Sequence, residues 1–205
     1  MEILVVRHGQ STADLEDRHE GRADFPLTEL GLDQARNAAT WINQHYKPSK
    51  IITSPLNRAL QTADIISKST GVMLEKDEDL MEWNNGWLAG LLRSEALEKY
   101  PMPEGGRKPH DEHYGCESMI QFRARAERFW SRLIYSDTAK TGERICVVSH
   151  GGLISMLYRS FLNLPVETDV TLMTGDTGIH LWDYTSKRKR IKFSNSQEHL
   201  ANLTS

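Results

Sequence analysis

Three short apolar runs, each followed by polar and glycine-containing residues, constrain the fold of this chain most strongly. Ile3–Val6, Ile51–Thr53 and Ile145–Ser149 are rich in branched residues, and each run predicts a buried strand. Helical patterns separate them, such as the segment that Thr28 can cap, which carries apolar residues on one face. This alternation predicts an α/β fold, a three-layer sandwich with a central, mostly parallel sheet flanked by helices.

Chemically useful residues follow the three predicted strands. Arg7 and His8 come after the first strand, Arg58 after the second, and His150 after the third. Ligands of open α/β sheets bind outside the carboxyl ends of the strands, so we expect two histidines and two arginines at one edge. Arginine binds phosphate oxygens, and a neutral imidazole can attack phosphorus. The pattern predicts a phosphoryl-transfer site, but it does not distinguish His8 from His150 as the nucleophile.

The middle of the chain differs in composition from the rest. Residues 84–116 are rich in Gly, Pro, Asn and His, with one short helical piece near Ser94–Tyr100. A length of 205 residues suits one domain. We therefore interpret residues 1–205 as a single domain in which the inserted segment 84–116 covers the strand ends and selects the substrate.

Charge and hydropathy exclude several classes of partner. The formal net charge is −3, so no broad basic field predicts a nucleic-acid partner. No apolar stretch approaches the length of a membrane span, and the N-terminal run is too short for a signal peptide. The two cysteines, Cys116 and Cys146, suggest no disulfide framework and fit a reducing compartment. We predict a cytoplasmic protein; the sequence does not predict its oligomeric state.

A metal site is the competing use of the histidines. His110, Asp111, Glu112 and His113 form a dense cluster, which His8 and His150 could join. The cluster matches no zinc spacing such as H-E-x-x-H, so we interpret it as a solvated loop and predict no metal ligand.

Several segments, in this order along the chain, resemble the motifs of the histidine phosphatase superfamily, the phosphoglycerate-mutase-like group. The matching segments are Arg7-His8-Gly9-Gln10-Ser11, Asp24-Phe25-Pro26-Leu27-Thr28, Ser54-Pro55-Leu56-Asn57-Arg58 with Gln61-Thr62-Ala63, and Ser149-His150-Gly151-Gly152. Together they cover most of the chain and are highly specific.

The resemblance implies roles for individual residues. It makes His8 the nucleophile and Glu82 the proton donor, and it places Arg7, Arg58 and His150 around the phosphate, with His150 counted among the catalytic residues as well. Without the resemblance, Glu82 reads as an exposed loop residue. No cofactor and no metal is implied.

One position departs from the family pattern. Asp14 stands where the family often has an asparagine that binds the phosphate. A carboxylate beside phosphate would be repulsive, so Asp14 points away, binds a neighbouring arginine, or belongs to a different pocket.

The resemblance favours a phosphatase that hydrolyses small phosphomonoesters through a phosphohistidine on His8. The nearest alternative is a cofactor-dependent phosphoglycerate mutase. The chain is less similar to that branch, because the mutases have a longer insertion with paired arginines. Here the comparable stretch, residues 105–110, contains Arg107 and Lys108 instead. A non-catalytic phosphate-binding module is a third alternative. The expected partner is a small phosphorylated metabolite.

Overall fold

The sheet has six strands in the order β3-β2-β4-β1-β5-β6. The computed structural model describes residues 1–137 and 143–201. The strands are β1 (Glu2–Arg7), β2 (Lys50–Thr53), β3 (Leu74–Lys76), β4 (Arg144–Ser149), β5 (Ile179–Thr185) and β6 (Arg188–Ser196). The main helices are α1 (Thr12–Leu15), α2 (Glu29–His45), α3 (Asn57–Thr70), α4 (Arg93–Lys99), α5 (Met119–Ile134) and α6 (Gly151–Leu162).

The pairing of the strands brings three strand ends to one level. β1, β2, β3 and β4 are mutually parallel, whereas β5 runs antiparallel to β1 and β6 antiparallel to β5. The sheet is therefore mixed, with the predicted parallel part forming its larger portion. Arg7 pairs with Ser149 and Thr53 with Val148, so the residues that follow β1, β2 and β4 meet at one edge.

Two apolar layers cover the faces of the sheet, as the predicted sandwich requires. Along β1, Ile3 and Val5 face a cluster that includes Phe122 of α5 and Leu153 of α6. Leu4 and Val6 alternate with them and join the opposite cluster, which holds apolar residues of α2 and α3. This period of two is the expected pattern of a strand that is buried on both faces.

The starts of two helices show where local sequence rules hold and where they fail. Thr28 caps α2 as predicted, because its hydroxyl accepts the Gly31 N–H. The pair Ser54-Pro55 predicts an N-cap and a first helical residue for α3, and this prediction is wrong. The helix begins at Asn57, whose N–H donates to Asp24 Oδ1 from a distant loop. The Ser54 hydroxyl instead lies 2.8 Å from His150 Nε2.

Segment 84–116 contains the predicted short helix, α4, together with single 3-10 turns of helix at Gly86–Leu88 and His113–Gly115, and otherwise consists of turns and loops. Its two ends pack together, because a Cβ built on Gly86 would collide with the backbone of Tyr114 and Gly115. Across the described ranges, 1–137 and 143–201, no helix has the length and apolar character needed to cross a membrane.

Candidate active site

The predicted residues meet at the carboxyl edge of the sheet. The rings of His8 and His150 lie 5.1 Å apart, and Arg58 lies beside His8. His8 is 1% exposed, and Arg58 and His150 are 0% exposed. Next to them lies a cavity of about 360 Å³, whose walls include Arg7, Glu20 and Glu82. The fold thus gathers all five residues that the sequence singles out.

The surroundings of His8 fix its tautomer. Its Nδ1 lies 2.7 Å from the Gly9 carbonyl oxygen, which can only accept a hydrogen bond, so Nδ1 carries the proton. The other nitrogen, Nε2, accepts a hydrogen bond from Arg58 Nε at 3.3 Å. Burial, together with the charges of Arg58 and Arg7, holds the pKa of His8 well below its ordinary value. His8 is therefore a neutral imidazole with a lone pair on Nε2.

Gly9 lets the loop after β1 pack directly on the first turn of α2. A Cβ on Gly9 would collide with the carbonyl group of Gly31, and a Cβ on Gly31 would collide with Gln10. Gln10 and Ser11 then hold the loop by their side chains: Gln10 Oε1 accepts from Thr28 Oγ1 at 2.9 Å, and Ser11 caps α1. The glycine at position 9 is thus a packing requirement of the loop that carries His8.

His150 differs from His8 in its contacts. Its Nε2 is bound to Ser54, whereas its Nδ1 is buried without a hydrogen-bond partner. Burial, followed by the charge of Arg58, lowers the pKa of His150 well below its ordinary value. Arg7 Nε is also buried without a partner. Buried polar groups are normally satisfied, so Arg7 Nε can donate to an added anion, and so can His150 Nδ1 in the tautomer whose Nε2 accepts from the Ser54 hydroxyl.

The guanidinium of Arg58 directs a single N–H group towards the site, and not the two parallel N–H groups of a bidentate contact. Its Nη1 and Nη2 donate to the carbonyl oxygens of Ala23 and Gly21 at 3.1 and 2.8 Å. Only Nε faces His8. Arg58 therefore fixes the loop around Gly21 while it places positive charge beside His8.

Glu82 lies at the N-terminus of α6, half-buried on the cavity wall. Its Oε2 accepts the Gly152 N–H at 2.9 Å and its Oε1 accepts the Trp83 N–H at 2.8 Å. A Cβ on Gly152 would lie 2.5 Å from Glu82 Oε1. The second glycine after His150 therefore makes room for this carboxylate, and the interpretation of Glu82 as an exposed loop residue does not hold.

Arg125 of α5 holds the backbone that carries Glu82. Its guanidinium donates to the carbonyl oxygens of Asp79, Met81 and Glu82 at 2.9 to 3.1 Å. It also pairs with Glu117 at 2.6 Å. No sequence motif marks this contact, because its partners lie on separate elements that the fold brings together.

The structure shows that Asp14 binds a neighbouring arginine. Its Oδ1 lies 3.6 Å from Arg7 Nη2, and its Oδ2 accepts the Ser11 N–H at 2.9 Å. Asp176, which sequence reasoning missed, lies 3.2 Å from the same Arg7 nitrogen. Arg7 is thus oriented by two carboxylates on its outer side while its Nε stays unpartnered.

Glu20 is the most consequential residue that sequence reasoning missed. One carboxylate oxygen lies 3.3 Å from Arg58 Nε and accepts from Ser11 Oγ at 2.5 Å. The other lies 3.8 Å from His8 Nε2. Glu20 therefore occupies the space in front of His8 Nε2. Its only sequence signal is a position directly before Gly21, within the predicted polar loop.

The cluster at residues 110–113 lies in segment 84–116, where His110 and Glu112 are exposed and Asp111 and His113 are half-buried. Asp111 pairs with His113 at 3.3 Å and with His110 at 3.6 Å. Within residues 1–137 and 143–201, no group of three or more His, Cys, Asp or Glu side chains could hold a metal ion. The interpretation as a solvated loop agrees with this placement.

The fold and the site define an α/β protein with a buried, cationic pocket around two neutral histidines. The family model of the histidine phosphatase superfamily (branch 1) matches residues 3–197, so the chain belongs to that superfamily. This confirms the resemblance given by the motifs.

Similar proteins include both phosphatases and mutase-like proteins. The chain is 36% identical to phosphoglycerate mutase-like protein 4 of Arabidopsis thaliana over 162 residues, which cover 77% of this chain and 69% of that protein. It is 31% identical to glucosyl-3-phosphoglycerate phosphatase of Mycobacterium tuberculosis over 174 residues, covering 80% and 76%. Relatives named as phosphoglycerate mutases also occur.

A solved structure agrees in fold across nearly the whole chain. The mycobacterial glucosyl-3-phosphoglycerate phosphatase in complex with VO3 superposes with a TM-score of 0.83 at 29% identity, covering 95% of this chain and 98% of that one. The predicted fold class is confirmed. Membership of this superfamily, together with relatives named as phosphatases, supports a phosphoric monoester hydrolase.

Proposed function

We propose that this protein hydrolyses small phosphomonoesters through a phosphohistidine formed on His8 Nε2. The observation that carries the proposal is the neutral His8 ring, whose Nδ1–H is bound to a carbonyl and whose Nε2 lone pair faces Arg58. The unpartnered nitrogens of Arg7 and His150 supply further contacts for the phosphoryl oxygens.

In the first step, His8 Nε2 attacks phosphorus and the bond from phosphorus to the ester oxygen breaks. Glu82, as a carboxylic acid, gives its proton to the leaving oxygen, and an alcohol departs. The Gly9 carbonyl oxygen keeps its hydrogen bond to Nδ1–H and so stabilises the positive charge that develops on the ring.

In the second step, water attacks the phosphorus of phosphohistidine and the phosphorus–nitrogen bond breaks. Glu82, now a carboxylate, takes a proton from that water. Inorganic phosphate leaves and His8 returns to its neutral form. Each turnover consumes one ester and one water, and no metal or cofactor takes part in this scheme.

Turnover of a generic aryl phosphate tests this proposal against the alternative of a non-catalytic phosphate-binding module. Steady release of the phenol in stoichiometric excess over protein is expected. Binding of the anion without release of phenol would favour the binding module.

Glu20 gives the site an expected pH dependence. Burial raises the pKa of Glu20, although Arg58 and Ser11 oppose that shift. A phosphoryl group on His8 Nε2 needs the space that Glu20 fills, so ionised Glu20 should repel an incoming anion. Lowering the pH through the raised pKa neutralises Glu20, and inorganic sulfate should then bind more tightly at acidic than at neutral pH. Calorimetry at a series of pH values measures this.

The variant Glu20→Gln isolates this effect. It should bind sulfate at least about tenfold more tightly at neutral pH and lose most of the pH dependence. Glu16→Gln is the matched control, because Glu16 is exposed and pairs with Arg18. If Glu20→Gln binds sulfate with the same affinity as the wild-type protein at every pH, Glu20 does not exclude the anion from the site.

Water, rather than a second substrate, is the proposed acceptor of the phosphoryl group. Mutase action needs a cationic clamp for the substrate carboxylate, and an Arg-Lys pair at positions 107 and 108 does not reproduce two planar arginine forks. With 3-phosphoglycerate supplied, inorganic phosphate should appear faster than 2-phosphoglycerate, also after addition of bisphosphoglycerate. If isomerisation outruns phosphate release, the mutase alternative holds.

The proposed partner is a small phosphorylated metabolite, and we propose neither a nucleic-acid nor a membrane partner. A cytoplasmic location fits the two free, buried cysteines. The pKa of the Cys146 thiol is raised by burial to about 12, so this cysteine stays unreactive.

A further inference from the structure

One oxygen of the Glu20 carboxylate faces the active-site cavity without a hydrogen-bond donor. The Ser11 hydroxyl donates to the other oxygen, Oε1, at 2.5 Å, and Arg58 Nε lies 3.3 Å from that same oxygen. Across residues 1–137 and 143–201 no group donates to Oε2, which lies 3.8 Å from His8 Nε2. The side chain of Glu20 is 15% exposed and belongs to the cavity wall. A ligand in the cavity can therefore reach Oε2.

The in-line geometry of phosphoryl transfer decides which oxygen of a bound ester meets Glu20. The attacking and leaving atoms lie on opposite sides of phosphorus. Glu20 lies beside the attacking nitrogen of His8, so it is on the wrong side of phosphorus to reach the leaving oxygen. Its Oε2 instead faces one of the oxygens that stay on phosphorus during the transfer. The role of Glu20 therefore concerns the transferred group and not the departing alcohol.

A phosphoryl oxygen and Oε2 repel each other unless a proton lies between them. The charged groups that face Glu20 are Arg58, Arg7 and Asp14, whereas the ring of His8 is neutral. Burial raises the pKa of Glu20 and Asp14 adds to that shift, although Arg58 and Arg7 oppose it. One shared proton converts the repulsion into an O–H···O⁻ hydrogen bond, which is roughly twice as strong as a bond between neutral groups.

We propose that Glu20 is a specificity-determining residue, which accepts a hydrogen bond from a protonated oxygen of the phosphoryl group. The proposal rests on the proposed function, because it assumes that a phosphoryl group binds at His8 Nε2. The site then selects the monoanion of a phosphomonoester, which loses its second proton with a pKa of about 6. Inorganic phosphate still carries a proton as a dianion, whereas sulfate carries none. The site should therefore distinguish these two ions, although their charge and shape are alike.

Calorimetry with inorganic phosphate and inorganic sulfate at weakly alkaline pH, where both ions are dianions, tests this selection. The wild-type protein should bind phosphate at least about tenfold more tightly, because only phosphate brings the proton that Oε2 accepts. Titrations in buffers of different ionisation enthalpy count the protons that accompany binding. Sulfate should take up about one proton per site, since Glu20 must be protonated first, and phosphate should take up almost none.

Two variants separate the hydrogen bond from a general effect of charge. Glu20→Gln should bring the ratio of phosphate to sulfate affinity close to one and remove the proton uptake with sulfate, because an amide N–H donates to either ion. Asp14→Asn is the matched control, since Asp14 lies on the same cavity wall but binds Arg7 and the Ser11 N–H. It should strengthen the binding of both ions alike and keep the wild-type ratio.

The results for the wild-type protein decide the proposal even if Glu20→Gln does not fold. Equal affinities for phosphate and sulfate, or no binding of phosphate under these conditions, would overturn it, and so would a ratio that Glu20→Gln leaves unchanged. None of these measurements needs turnover. Selective binding of phosphate without hydrolysis of any ester would mean that the proposed function fails while the selection holds. Hydrolysis without that selectivity would mean that only the role of Glu20 is wrong.

Discussion

Replacing His8 by alanine is expected to lower kcat for every phosphomonoester by at least about 10⁴-fold. The reason is that His8 is a neutral imidazole whose Nδ1–H is bound to the Gly9 carbonyl oxygen, so that the lone pair of Nε2 lies beside the Arg58 guanidinium. Without it, no phosphoenzyme forms, and the remaining cations can only bind the ester. Initial rates with an aryl and an alkyl phosphate measure the loss.

The control for this variant is His110→Ala, since His110 is exposed and its ion-pair partner among the described residues is Asp111. That variant should keep wild-type rates. Circular dichroism and sulfate binding should show that His8→Ala remains folded with its anion pocket intact. Near-normal turnover by His8→Ala, or a large loss in His110→Ala, would contradict the assignment of the nucleophile.

Replacing Glu82 by glutamine is expected to slow alkyl phosphates by about 10²–10⁴-fold and activated aryl phosphates much less. An alkoxide needs a proton in order to leave, whereas a nitrophenolate does not. Glu82 is placed for this role on the cavity wall at the start of α6. Rates over a series of leaving groups measure the difference.

Gly152→Ala provides a matched test of the position of Glu82. A Cβ at residue 152 would lie 2.5 Å from Glu82 Oε1. Because this is the end of a flexible side chain, the carboxylate should move while the hydrophobic core keeps its packing. We expect the same selective loss on alkyl phosphates at nearly unchanged stability. Equal small effects of Glu82→Gln on both kinds of ester would show that Glu82 only caps the helix.

Local sequence patterns were sufficient to predict the strands that carry the site and the sheet edge at which it lies. The strands around Leu4, Ile51 and Val147 are apolar on both faces, and such runs belong inside a parallel sheet. Once these strands are parallel, a general rule of α/β folds brings His8 and His150 to one edge. The family motifs then added roles that composition and spacing could not give, above all for Glu82.

The contacts that tune the site depend on residues far apart in sequence. Glu20 reaches His8 because Arg58 binds the carbonyl oxygens of the loop that carries it. Arg125 holds the Glu82 backbone across 43 positions of the chain. Neither contact leaves a periodic or compositional signal. The start of α3 was misplaced for the same reason, because its cap, Asp24, comes from another loop.

The central claim is that a phosphoryl group passes through His8. Rapid mixing of the protein with a ³²P-labelled phosphomonoester, quenching in base and peptide mapping by mass spectrometry test it most directly. The account predicts an acid-labile, base-stable phosphate on the peptide that contains His8, formed and lost at the rate of turnover. A label on the peptide that contains His150, or steady turnover with no labelled protein at any time point, would contradict it.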